Sequence, residues 1–253
     1  MFVRKSIGII LCRINKNIPE VLLVKKRCSY AFCEFVQGKV FNSINQFDKM
    51  TRDELCDILT LDFDIIWNRY SPNNNKCINV KREMFKNKYL KDTGKKLTNL
   101  INSTQKKVDL LWECPKGSQS KSEDELTCAI RELKEETGID KSNYVIISNM
   151  NKYTSHVSCK ILYKVKYYVA YTDKKLNMMC KLEDYIKTNE IIDMKWFNII
   201  QLMQMDLIRL TFNIADMIRP VFKFIKKEYK KVRNNIIKEI IEIHDSKLKI
   251  NFE

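Results

Sequence analysis

Three carboxylates, Glu132, Glu135 and Glu136, stand within five consecutive residues of this chain. On a helix, at about 100° per residue, they fall within an arc of roughly 100°, with Glu132 and Glu136 one above the other. Three like charges on one face repel and weaken the helix that carries them. A hard divalent cation relieves that repulsion, and an all-oxygen donor set suits Mg2+ or Mn2+. The chemistry so placed is the binding of such a cation. An acidic run alone is more often a solvated helix face, so the flanking residues decide. They read Gly117-Ser-Gln-Ser-Lys-Ser-Glu123, then seven residues, then Arg131-Glu-Leu-Lys-Glu-Glu-Thr-Gly-Ile139. Ser122 and Glu125 have capping-box spacing, which predicts a helix beginning near Glu123. Gly138 suits its C-terminal stop. Arg131 can pair with Glu123, two turns earlier, or bridge to the other acids of the helix.

Strands must carry this helix. Residues 6–14 and 20–26 are short, apolar and β-branched, and Asn15, Asn17 and Pro19 lie between them, which predicts a hairpin. Strand character returns at Leu110–Cys114, Tyr144–Ser148, Lys160–Tyr171 and Ile191–Phe197. Between the hairpin and this second group the texture is helical. Thr51-Arg-Asp-Glu54 is a capping box, and Leu55, Ile58, Leu59, Phe63, Ile66 and Trp67 follow at helical spacing. Residues 198–206 are also expected to be helical. Pro220 suits the first turn of a last helix, whose Phe224, Ile225, Val232, Ile236, Ile237, Ile240 and Ile241 form an apolar stripe. No internal repeat is visible.

Composition bounds the partners. The 253 residues hold 46 Lys plus Arg against 31 Asp plus Glu, a net charge of +15, which favours a polyanion. Location is more telling than the total, because an AT-rich coding sequence also inflates lysine. Residues 76–107 carry ten basic residues against Glu83 and Asp92, a net +8. Lys81, Arg82, Lys86, Lys88, Lys91, Lys95 and Lys96 are the candidate RNA contacts within it, with Phe85 and Tyr89 available either to stack on bases or to pack as core. Trp67 is expected in the core. A second basic stretch, Lys223 to Lys238, reads as the solvated face of the last helix. The nine cysteines include no C-x-x-C pair, so reduced thiols are expected rather than a zinc site. No run of 18 apolar residues predicts a membrane span, and the N-terminus reads as a strand rather than a targeting peptide.

The run Gly117–Ile139 matches the Nudix box, G-x5-E-x7-R-E-U-x-E-E-x-G-U with U a bulky apolar residue, at every defined position. On that box the chain is identified as a member of the Nudix hydrolases. The resemblance implies that Glu132 and Glu136 coordinate metal and that Glu135 helps hold metal or water. It also implies a ligand from the Gly117 carbonyl, and a structural role for Glu123, Arg131 and Gly138. Many Nudix enzymes use a general base outside the box. Glu190, just before Ile191-Ile-Asp-Met-Lys-Trp196, is the candidate here, so the catalytic acids would be Glu135, Glu136 and Glu190, with Glu183 and Asp193 as competitors. His156 has the structural role as its simpler reading.

A wider resemblance covers nearly the whole chain. Lys5-Ser-Ile-Gly-Ile9, Lys26-Arg27, Tyr30-Ala-Phe-Cys-Glu-Phe35, Leu61-Asp-Phe-Asp64, Thr93-Gly-Lys-Lys-Leu97, Leu110-Leu-Trp-Glu113 and Met217-Ile-Arg-Pro220 carry it, together with Pro115-Lys116 before the box. In these stretches the chain resembles the viral Nudix decapping enzymes, those of African swine fever virus and more distantly of poxviruses. That likeness implies an α/β/α Nudix sandwich in two parts, 1–29 and 109–253, the second part ending in the C-terminal helix. A mostly helical, RNA-holding insertion would occupy 30–108. It implies removal of the m7G cap from mRNA with Mg2+ or Mn2+, releasing m7GDP and 5′-monophosphate RNA, as in host shutoff. The location would be the host-cell cytoplasm or the virion, and a homo-oligomer is compatible. A rival reading is hydrolysis of diphosphoinositol polyphosphates or dinucleoside polyphosphates, which a basic insert would also attract. A third is an RNA-binding module without catalysis, against which the intact box stands.

Overall fold

The computed structural model describes residues 2–38, 44–70, 77–104, 108–158, 161–174, 176, 190–205 and 214–250. The sheet begins with the expected hairpin, β1 (Phe2–Asn15) and β2 (Ile18–Lys26). Lys16 and Asn17 make its two-residue turn with φ of 47° and 65°, the left-handed pair that matches strand twist. The strands pair from Asn15↔Ile18 to Cys12↔Val21 and then part. The segment before the box fills the cleft between them. β3 (Trp112–Glu113) pairs with β2 through Val24↔Glu113, and β4 (Lys116–Ser118) pairs with β1 through Ile7↔Gly117. β5 (Val145–Ser158) and β6 (Ile161–Tyr171) form an antiparallel pair, and β6 runs parallel to β1 from Phe2↔Ile161 to Cys12↔Tyr171. β7 (Ile191–Asn198) closes the other side, antiparallel to β2.

The two faces of β1 separate two cores, as period-two alternation requires. Ile7, Ile9 and Leu11 share a cluster with Cys128, Ala129 and Leu133 of the box helix. Ile10 and Cys12 pack with Leu202, Ile214, Ile218, Val221 and Phe222 on the opposite face. The result is helix, mixed sheet, helix: the α/β/α sandwich. Leu202 belongs to a short helix (Ile199–Gln204) capped by Asn198 and Gln201, and the remainder to a long one (Ile214–Ile250). Pro220 lies inside that long helix, not in its first turn as expected. The Asp216 carbonyl that Pro220 cannot bond belongs to an exposed residue, where water can satisfy it, while Ile218, Val221 and Phe222 hold the helix on the sheet. Lys223, Lys226, Lys227, Lys230 and Lys231 lie on its described part, and Arg233 and Lys238 lie outside the described side chains.

The described residues between 30 and 102 are mostly helical: α1 (Tyr30–Val36), α2 (Ile44–Phe47), α3 (Arg52–Thr60), α4 (Phe63–Tyr70), α5 (Ile78–Phe85), a π-turn at Lys86–Leu90, and α6 (Lys95–Asn102). They bury their own core of Phe32, Phe35, Phe47, Ile66, Trp67, Phe85, Tyr89 and Leu97. Of the apolar stripe expected through α3, Leu55 and Ile58 are buried while Leu59 faces solvent, and the helix ends at Thr60. Phe85 and Tyr89 are core residues packed on Phe35, at centroid distances of 5.8 and 5.0 Å, and are not open to bases.

One buried carboxylate ties this helical segment together. Glu54 accepts from the Thr51 N–H at 2.9 Å, completing the expected capping box of α3, and also from the N–H and hydroxyl of Ser29, the cap of α1, at 2.6 and 2.7 Å. Glu54→Ala strips these partners from two helix starts and should cost about 2–4 kcal/mol in urea denaturation. A loss under about 0.5 kcal/mol, the range of an ordinary surface substitution, would contradict the bridging role.

Candidate active site

The box helix, α7, runs Glu125–Thr137, two residues later than the spacing of Ser122 and Glu125 suggested. Asp124 is its cap and accepts from the N–H groups of Leu126 and Thr127. The competing partners explain the shift. Glu125 is drawn away by the ammonium groups of Lys5 and Lys166, and Glu123 by Arg131 and the Ser120 N–H. Gly138 ends the helix at φ 69°, as its type predicts.

Arg131 organises the exposed side of the site. Its guanidinium donates to Glu123 at 2.7 and 3.1 Å, to Glu132 at 2.8 Å, to Glu135 at 2.8 Å and to the Ser118 carbonyl at 3.2 Å. Both expected pairings are therefore made at once. The Arg131 hydrogen bonds and the Ser120 N–H hold the Glu123 carboxyl down to about 2. Glu132 differs: burial raises its pKa, and Arg131 offsets only part of that. The Glu132 carboxylate lies against Gly117, where any Cβ would overlap it. Glycine at 117 is thus what allows this carboxylate to reach the β4 backbone.

Glu136 is the deepest of the three acids, with 5% of its side chain exposed. Burial pushes its carboxyl up to about 7, against the opposing pull of Lys26. Lys26 Nζ lies 2.5 Å from Glu136 Oε1, and the Lys116 backbone N–H donates to Oε2 at 3.1 Å. The same ammonium sits 3.6 Å from Glu113 and 3.7 Å from Glu190. Glu113 is fully buried on β3. Burial raises its carboxyl, but Lys116 and Lys26 outweigh that and bring it below the ordinary value. Lys116 Nζ reaches Glu113 Oε2 at 2.8 Å, and Tyr30 donates to the same oxygen at 2.7 Å.

The structure therefore gathers Gly117, Glu132, Glu136 and Glu190 around Lys26 and the β4 backbone, with Glu135 the most exposed of the three helix acids at 56%. Glu190 is 73% exposed, and its carbonyl accepts from the Arg27 N–H at 2.8 Å, which holds the start of β7 against the end of β2. Its charge also raises the Glu132 carboxyl, a sign of proximity. Asp193 instead pairs with Lys195 at 2.6 Å on β7; Glu183 and the His156 side chain lie outside the described residues. Among the described residues the acids do not close by themselves into a cluster of three metal ligands, because Arg131 and Lys26 stand between them. Oxygen donors from Glu132 and Glu136 beside a glycine backbone nonetheless fit a hard divalent cation. Lys26, Tyr30 and Glu113 were not anticipated as site residues. Charge within the strand-like runs Val21–Lys26 and Leu110–Cys114 marked Lys26 and Glu113, and all three residues stand in stretches that carry the wider resemblance.

Of the basic candidates, Lys86, Lys88, Lys91, Lys95 and Lys96 are exposed. Lys88 is lowered by partial burial and by the nearby Lys96 ammonium, so these two cations are neighbours. Lys81 and Arg82 are committed to partners within the chain. Lys81 donates to the Gln37 carbonyl at 2.7 Å, and Arg82 forks onto Asp64 at 2.7 and 2.8 Å. Lys76, Lys106 and Lys107 lie outside the described residues.

The NUDIX domain family model matches residues 91–219. The mRNA-decapping protein g5R of African swine fever virus is 38% identical over 240 residues, covering 89% of this chain and 96% of that protein. Its counterpart from a Namibian warthog isolate is 37% identical over the same length. Among solved structures, an Ap4A hydrolase of C. elegans aligns over 88% of this chain and 99% of its own, with a TM-score of 0.46 and 15% identity. The chain belongs to the Nudix hydrolase family and is homologous over most of its length to the viral mRNA-decapping protein g5R.

Proposed function

We propose that this Nudix hydrolase removes the m7G cap from mRNA, releasing m7GDP and 5′-monophosphate RNA. The observation that carries the reading is the homology to g5R along 89% of the chain, helical segment included. A match to the box alone would name only the chemistry. Glu132, Glu136 and the Gly117 carbonyl hold Mg2+ or Mn2+, and Glu135 supports metal or water at the rim. When bound, the metal neutralises charge on the phosphoanhydride oxygens. Glu190, exposed at the open side, takes the proton of the attacking water. Arg131 fixes the two outer acids so that their carboxylates face the substrate. Lys86, Lys88, Lys91, Lys95 and Lys96 attract the RNA body, and Lys81 and Arg82 serve the fold instead.

The decisive assay incubates the protein with cap-labelled RNA and Mn2+. Release of m7GDP, inhibited by uncapped RNA, is expected. No release, with hydrolysis of diphosphoinositol or dinucleoside polyphosphates, would replace this reading by the small-substrate one. Glu136→Gln should lower kcat by about 100-fold or more, the scale of losing a group that stabilises developing charge, and leave RNA affinity within about twofold. Retained turnover would remove Glu136 from the mechanism. A Lys91→Ala/Lys95→Ala/Lys96→Ala variant should bind uncapped RNA several-fold more weakly, with a salt dependence shallower by about 0.7 for each phosphate it no longer neutralises. Its hydrolysis of free cap dinucleotide should be unchanged. An unaltered salt slope would move the RNA path elsewhere.

A further inference from the structure

A metal at Glu136 has a competitor already in place. Glu136 Oε2 already accepts from the Lys116 N–H and Oε1 from the Lys26 ammonium at 2.5 Å, so a metal that takes Oε1 must displace Lys26. Lys26 is only 17% exposed. An ammonium displaced in that setting must find another carboxylate or bear the full penalty of an unpaired buried charge. Glu113 offers one. Its Oε1 is buried, accepts no hydrogen bond and lies 3.6 Å from Lys26 Nζ. Its Oε2 is fixed by Tyr30 at 2.7 Å and Lys116 at 2.8 Å, and the Lys116 ammonium also donates to the Tyr30 oxygen at 2.8 Å. Glu190 is equally near Lys26 but largely exposed, so its pull on the ammonium is screened by water.

We propose that Glu113 is a positioning residue that takes the Lys26 ammonium from Glu136 when a divalent cation binds, with Tyr30 and Lys116 holding it ready. The proposal rests on the reading of Glu132 and Glu136 as metal ligands. Lys26 offsets the charge of Glu136 while no metal is present, and Glu113 receives it without leaving a buried charge alone. Because Tyr30 opens α1, the first helix of the helical segment is part of the metal site.

The test is Mn2+ binding to the metal-free full-length protein, followed by electron paramagnetic resonance of free Mn2+, with thermal melts to verify folding. Glu113→Gln keeps the shape but removes the charge that receives Lys26, so Mn2+ affinity should fall by about tenfold. Adding Lys26→Met removes the competitor, and the double variant should return to within about threefold of the original affinity, a coupling characteristic of residues in contact. Tyr30→Phe, which removes the hydrogen bond to Glu113 and the one from Lys116, should weaken binding by about threefold. Unchanged affinity in Glu113→Gln, or a loss that Lys26→Met does not rescue, would overturn the proposal. So would the loss of one bound Mn2+ per chain, which would make Glu113 a ligand. If the unaltered protein binds no Mn2+, the metal reading fails and takes this proposal with it. If the Mn2+ pattern holds while no m7GDP is released, only the substrate reading fails.

Discussion

The site depends on the close pairing of Lys26 with Glu136. Glu136 is buried against a sheet, where an uncompensated carboxylate is strongly unfavourable, and burial drives its carboxyl to about 7 even beside Lys26. A helix with three acids on one face is unstable for a related reason, the mutual repulsion of like charges. The chain meets both penalties with its own cations: Lys26 from inside and Arg131 from outside. The acids are thereby held close together, and on the proposed metal reading a divalent cation would displace Lys26 from Glu136.

The sheet makes that pairing available. β1 and β2 part after four paired positions, and β3 and β4 fill the opening. Lys26 at the end of β2, Glu113 on β3, Gly117 on β4 and Glu136 on α7 therefore meet from four separate elements. Glu113 and Lys116 sit in short strands whose partners differ, so the turn between them crosses the cleft under α7. The helical segment enters at the same place, since Ser29 and Tyr30 follow Lys26 closely. Its internal anchor, Glu54, fixes Ser29, and Tyr30 fixes Glu113.

Much of this was legible from residue types alone, for identifiable reasons. The hairpin, the box helix stop at Gly138, the Thr51–Glu54 cap and the Arg131–Glu123 pair are local, and local rules of spacing govern them. Two helix starts were misplaced because distant interactions overrode local capping: Lys5 and Lys166 took Glu125, and packing of Ile218 and Val221 carried the last helix through Pro220. Phe85 and Tyr89 could have been base-stacking or core residues by spacing. Only their packing on Phe35, about 50 residues away in sequence, makes them core. Lys26 and Glu113 could not be assigned to the site from residue types because strand register, not composition, decides which charged side chains face α7, and Tyr30 joins them only through its hydrogen bond to Glu113. Lys81 and Arg82 show the converse, since a basic run includes cations already engaged by Gln37 and Asp64.

The distribution of roles follows from these constraints. The clustered carboxylates sit on a strand–turn–helix unit, and the exposed lysines sit on a segment with its own core. Whether a divalent cation takes the place of Lys26 on Glu136 is read most directly from anomalous diffraction of Mn2+ in crystals of the protein. The expected peak is bounded by Glu132, Glu136 and the Gly117 carbonyl, with the Lys26 ammonium moved off Glu136. A peak held by other residues, or Lys26 still on Glu136 beside an empty Glu132, would contradict the exchange.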